Sequence, residues 1–216
     1  MISGTSPAQA QARAAIASPP PFLAPSPSAF DAPAWAAFGN AWTNVTNYSA
    51  TVTLFEQKGT ITQNSIFDFA FRKPSSVTVH YTTGVNAGVT LEWSGGPTVV
   101  AHRGSGLMAI FKRSFALHDP MMTTIRGSSI DQLSFAAILA HSVGTPGTIS
   151  QGSGPMILGI PSEAVTLVPA SSASNMGLTH EIVDISAMNA LPVRVLGYEG
   201  ETLVRQVDFS NIKVGH

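Results

Sequence analysis

The sequence contains no cysteine. That removes disulfide frameworks, thiolate metal sites and thiol nucleophiles together, and leaves the redox compartment open. Charge is scarce as well: only 11% of the 216 residues are Asp, Glu, Lys or Arg, less than half the usual share of about 25%. Eleven basic residues stand against twelve acidic ones, and no basic run exceeds a pair such as Lys112-Arg113. A phosphate-tracking surface is therefore excluded, and nucleic acid with it. Long apolar runs are missing too, because no window approaches the roughly 18 uninterrupted apolar residues of a spanning helix. At 44% hydrophobic the bulk of the chain is still too apolar to remain disordered, and it is long enough for one domain with a sizeable core.

The residue patterns of common catalytic centres are equally scarce. Histidines stand at 80, 102, 118, 141, 180 and 216, none spaced as HxH, HxxH or HExxH, so no metal site is expected. Ser105 and Ser153 sit between glycines, but a hydrolase elbow needs its glycines two positions to either side of the serine. No phosphate-binding glycine loop and no dinucleotide fingerprint occur, so no cofactor is expected. Asp68 and Glu92 can meet across strands, yet exposed strand-face carboxylates account for them as well. The reading is non-enzymatic.

Along the chain, residues 1–28 are dominated by Ala, Pro, Ser and Gln, with Arg13 the one charge. They read as a disordered tether or as the remnant of an export signal, since Ala8-Gln9-Ala10 and Ala10-Gln11-Ala12 fit a small-x-small cleavage rule. Residues 29–216 form the domain. A helix is predicted from Asp31, which can cap it, with Pro33 in the first turn and Ala34, Trp35, Phe38 and Trp42 as its apolar stripe. A second helix follows the capping-box pattern Ser129-Ile130-Asp131-Gln132, runs through Leu133 to Ala140 and ends near Gly144. Period-two runs predict strands over 48–54, 66–72, 76–81, 89–93, 98–102, 156–160, 164–168, 179–185, 192–198 and 202–209. Residues 147–154 read as a Gly/Ser loop, and His118-Asp119-Pro120 as a turn whose Asp satisfies backbone amides. The short turns leave no room for helical crossovers. The predicted fold is mainly β (α+β): a strongly curved antiparallel sheet forming an unclosed β-barrel, with two or three helices covering its concave face.

One set of residues stands out. Phe67, Phe69 and Phe71, then Val77, Val79 and Tyr81, then Leu91 and Trp93, and finally Val99 occupy one face of four successive strands. Either they are the core under the sheet, or they line a cavity that accepts apolar ligands. Between Gly104 and Gly127 the pattern breaks down. This stretch reads as a mobile or partly helical flap in which Met108, Phe111, Met121 and Met122 can adapt to irregular shapes.

Several stretches carry a family resemblance. They are Phe71-Arg72-Lys73-Pro74 running into Val77-Thr78-Val79-His80-Tyr81, the hairpin Leu91-Glu92-Trp93-Ser94-Gly95-Gly96-Pro97-Thr98-Val99-Val100, and a closing segment. That segment comprises Leu191-Pro192-Val193-Arg194, Tyr198-Glu199-Gly200 and Val207-Asp208-Phe209-Ser210-Asn211-Ile212. From about Ala34 to the C-terminus the sequence resembles the LolA-like periplasmic lipoprotein carriers and outer-membrane lipoprotein-sorting proteins. The resemblance implies an unclosed barrel with a helical lid that binds lipid or lipoprotein acyl chains and shuttles them through the periplasm towards the outer membrane. It also implies membrane-bound donor and acceptor proteins as partners. In that family an arginine before the proline latches the lid. Lys73 holds the position here, preceded by Arg72, and a lysine offers a point charge where arginine offers a planar fork. The alternative is a sensor or scaffold domain of the same fold that binds a protein partner and no lipid.

Overall fold

The computed structural model describes residues 32–104 and 112–216. Asp31, the 1–28 segment, Met108 and Phe111 lie outside the described residues. Eleven strands form one antiparallel sheet: β1 (Asn47–Lys58), β2 (Ile61–Arg72), β3 (Ser76–Tyr81), β4 (Val89–Ser94), β5 (Thr98–Arg103), β6 (Arg113–Ala116), β7 (Gly147–Ser153), β8 (Ser162–Pro169), β9 (His180–Ser186), β10 (Pro192–Glu199) and β11 (Thr202–Gly215). Their order, β6-β5-β4-β3-β2-β1-β11-β10-β9-β8-β7, leaves β6 and β7 as edges, so the sheet curves without closing. It consists of two meanders joined along β1 and β11. Helices α1 (Pro33–Asn44) and α2 (Phe135–Gly144) pack on the concave face.

Strict alternation fixes the register, because a slip of one residue would turn every apolar side chain outwards. In β1 the buried positions are Tyr48, Ala50, Val52, Leu54 and Glu56, and in β2 they are Ser65, Phe67, Phe69 and Phe71. Cross-strand pairing sets Tyr48 beside Phe71 and Val52 beside Phe67. The stripe Ala34, Trp35, Phe38 and Trp42 of α1 is buried as the spacing predicts.

Four sequence expectations need correction. Residues Gly147–Ser153 form edge strand β7, paired with β8 along its whole length; one face carries Thr148, Ser150 and Gly152 and the other has Ile149 as its one apolar side chain, so no alternation betrays it. Residues 156–160 form no strand. They make a turn closed by Ile157 and Ile160, with Leu158 and Gly159 at positive φ and Met156 and Leu158 exposed. The capping box at Ser129 and Gln132 is present but opens a short 3-10 turn, Ile130–Leu133; α2 starts afresh at Phe135, where the Ser134 hydroxyl accepts from the Ala137 N–H at 3.1 Å. Within the flap stretch, Arg113–Ala116 is strand β6, paired with β5. The Asp119 carboxylate accepts from the Met121 N–H, the turn expected there.

Candidate functional site

The helices are pinned to the sheet by their ends, where a helix leaves backbone groups unpaired. The N-terminal Ala34 N–H of α1 donates to Gln151 of β7 at 2.8 Å. At its C-terminus, Lys73 Nζ donates to the Trp42 and Thr43 carbonyls at 2.7 and 3.3 Å and lies 4.6 Å from the Trp42 ring centroid. A cation there is favoured by the helix dipole and by the indole face, while burial lowers the lysine pKa from its ordinary value. Arg72 is exposed. The first N–H of α2, from Phe135, donates to the Tyr48 hydroxyl at 3.0 Å, and the two rings stack at 4.2 Å. Burial pushes the Tyr48 pKa far up, so the hydroxyl stays neutral. Further along α2, His141 Nε2 meets the Glu181 carboxylate of β9 at 2.9 Å.

Between these attachments the concave face divides in two. On the β2–β5 side, Phe67, Phe69, Phe71, Val77, Val79 and Val99 are packed into the core, where Trp42 and Tyr48 reach Phe71. Trp93 is half-buried, its Nε1 donating to the Gly96 carbonyl at 2.7 Å. Tyr81 and Leu91 border a hollow of about 330 Å³ shared with Met121 and Met122. The structure thus brings two of the wall residues, Tyr81 and Leu91, together with two of the flap residues, leaves Trp93 half-buried, and packs the other six wall residues into the core.

On the other side, under α2 and across β8–β11, lies a cavity of about 380 Å³, within the usual range for small-molecule sites of roughly 300–1,000 Å³. Leu133, Ala137 and Ile138 roof it, and Leu167, Val183, Val195, Val207 and Phe209 supply its apolar floor. Its residues were not singled out from the sequence. Three valines, with Leu167 and Phe209, floor this part of the sheet where Phe67, Phe69 and Phe71 fill the middle of the other, and the smaller side chains leave room under α2.

One end of the cavity is polar. The pairing sets Gln63, Glu56, Arg205, Gly197, Glu181 and Leu167 in one row across five strand junctions. Glu56 is fully buried and Glu181 nearly so, with Arg205 between them. Arg205 Nε lies 3.8 Å from Glu56 and its Nη1 3.9 Å from Glu181, both beyond hydrogen-bond range. Gly197 makes the space: a Cβ there would lie 3.0 Å from Leu178 and 3.3 Å from the Arg205 side chain. Glu56 also accepts from the Arg126 N–H at 3.2 Å, and Glu181 from the Asn175 amide at 3.1 Å. Burial works to raise the Glu181 pKa, but the His141 bond, the Arg205 charge and the Asn175 amide together hold it below 4.5. The Glu181 bond in turn raises His141 above 6.5 against the cost of burial. The row had a signal in the sequence, since Glu56, Glu181 and Arg205 each fall in phase with the apolar face of their own strand.

Other arrangements carry no comparable chemistry. Among the described residues no cluster of three His, Asp or Glu could hold a metal, and no helix is long and apolar enough to cross a membrane. Asp68 pairs across to His80, whereas Glu92 faces Thr78 and bonds Lys112 at 2.9 Å, so the two carboxylates do not meet.

No family model matches the sequence, and no curated protein does. Solved structures with a similar course of chain include an outer-membrane lipoprotein-sorting protein domain from Vibrio parahaemolyticus, 10% identical with TM-score 0.41, covering 83% of this chain and 91% of that one. Lipoprotein LppX from Mycobacterium tuberculosis is 14% identical with TM-score 0.43, over 83% of this chain and 93% of its own. A LolA superfamily protein from Nitrosomonas europaea is 10% identical with TM-score 0.39, over 85% and 94%.

Proposed function

We propose that the protein is a non-enzymatic carrier that binds lipid or lipoprotein acyl chains and moves them through the periplasm towards the outer membrane. The observation that carries the reading is the apolar cavity of about 380 Å³ between α2 and β8–β11. Burying about 300 Å² of acyl chain there contributes roughly 7 kcal/mol at about 25 cal/mol per Å². After the cost of ordering, affinity falls in the micromolar to millimolar range, tight enough to carry and loose enough to hand over. The family resemblance in sequence supports the same function. In this reading Lys73 fastens α1 while α2 is the cover over cargo, and the hollow beside Tyr81, Leu91, Met121 and Met122 offers room for a second chain segment. Membrane-bound donor and acceptor proteins would load and unload it.

Native mass spectrometry of gently purified protein tests the proposal. Adducts of lipid mass are expected, and a clean unliganded mass together with no binding of a fluorescent fatty-acid probe overturns it. If a protein co-purifies in place of lipid, the sensor or scaffold reading of the fold replaces the carrier.

A further inference from the structure

The polar row holds a donor without a hydrogen-bond partner. Arg205 is 9% exposed and lines the cavity, its Nε is buried without a hydrogen bond, and both neighbouring carboxylates lie 3.8–3.9 Å away. A buried guanidinium whose Nε–H is unspent is costly, and burial on this scale is normally accompanied by full pairing. The surrounding charge says what can pair with it. Glu56 and Glu181 already outnumber Arg205, and a protonated His141 brings the group only to balance. A ligand carboxylate therefore meets no excess positive charge in either state of the histidine. An uncharged carbonyl oxygen meets a guanidinium able to donate to it, with hydrocarbon walls beyond.

Resting on the carrier reading, we infer that the Arg205 end of the cavity is a head-group subsite selecting acyl chains with an uncharged carbonyl, as in esters and amides, over free fatty acids. Hydrogen bonds to a charged donor are stronger than neutral ones, and desolvating a carboxylate beside Glu181 opposes its entry.

The test measures binding of methyl dodecanoate, dodecanoate and dodecane at pH 7.5 to the full chain by displacement of an apolar fluorescent probe. The ester is expected to bind about tenfold tighter than either of the others. Glu181→Gln removes one negative charge while keeping an acceptor, and should narrow the gap between ester and dodecanoate by strengthening dodecanoate. Arg205→Lys, checked for folding by its melting curve, should weaken the ester about tenfold and leave dodecane unchanged. Equal binding of all three ligands overturns the subsite and leaves the carrier intact. Dodecanoate binding as tightly as the ester overturns the claim of an uncharged head. Binding of none overturns the carrier and the subsite together.

Discussion

The two halves of the concave face are built by the same rule and filled differently. Across β2–β5 the inward positions hold Phe67, Phe69, Phe71, Val77 and Val79, and the helix aromatics Trp42 and Phe135 descend onto them around Tyr48. Across β8–β11 the inward positions include Val165, Val183, Val195 and Val207 beside Leu167 and Phe209, with α2 as roof and a cavity below it. Alternation decides which face is apolar, but side-chain volume decides whether the face becomes a core or a container. An apolar strand face therefore does not announce a ligand site: here the phenylalanines are packed solid, and the hollow on their side lies at its Tyr81 and Leu91 margin.

Three experiments bear on that contrast. The largest effect belongs to Phe135, which is fully buried and contacts Phe38, Trp42, Tyr48 and Phe209. Phe135→Ala should cost about 3–5 kcal/mol in denaturant unfolding; a loss under about 1 kcal/mol would show that the filled half is loosely packed after all. Next comes a matched pair. Val79→Leu adds a methylene to a filled layer and should destabilise by about 1–3 kcal/mol, whereas Val183→Leu adds one to the cavity floor and should cost about 1 kcal/mol or less while weakening acyl-probe binding. Equal stability losses at the two positions would erase the distinction between core and container.

The smallest effect concerns the clasp between α2 and β9. The raised pKa of His141 gives a stabilisation fully present below about 6.5 and lost as pH climbs through the folded value. The lowered pKa of Glu181 gives one present above about 4.5 and lost as pH falls through its folded value. The pair thus stabilises most between those limits. The melting temperature should decline on the alkaline side by an amount equivalent to less than about 1 kcal/mol, because His141 is partly exposed. His141→Gln should flatten that decline; an unchanged slope above pH 6.5 would show that the clasp does not hold the roof.

Much of the architecture was legible because most strands alternate cleanly. The run Ser76–Tyr81 could be bounded from sequence, and the unclosed sheet with helices on one face follows from short turns and two helical stripes. Strand β7 escaped because an edge strand with Ile149 as its one apolar side chain has no hydrophobic period. The turn at Ile157 and Ile160 looked like a strand because Met156, Ile157, Leu158 and Ile160 make a short apolar run, although Leu158 adopts positive φ and is exposed. The cavity was hidden for a different reason. Val183, Val195 and Val207 are ordinary strand residues, and whether such short side chains meet anything depends on the curvature of the sheet and the height of α2 as well as on their volume. The polar row was visible in phase, one ionisable residue on an otherwise apolar face in each of β1, β9 and β11, but its assembly depends on pairings between residues far apart in the chain.

The seam between β1 and β11 has a kinetic consequence. Each meander is assembled from hairpins between neighbours in sequence, whereas the pairing that unites them joins Thr51 to Ser210, 159 residues apart. Such closures carry the largest chain-entropy cost and are slow to form. Until the last strand docks, each half presents an open ladder edge at the centre of the future sheet. The buried trio Glu56, Arg205 and Glu181 straddles that same seam, so the polar end of the cavity comes into being only when the two halves meet.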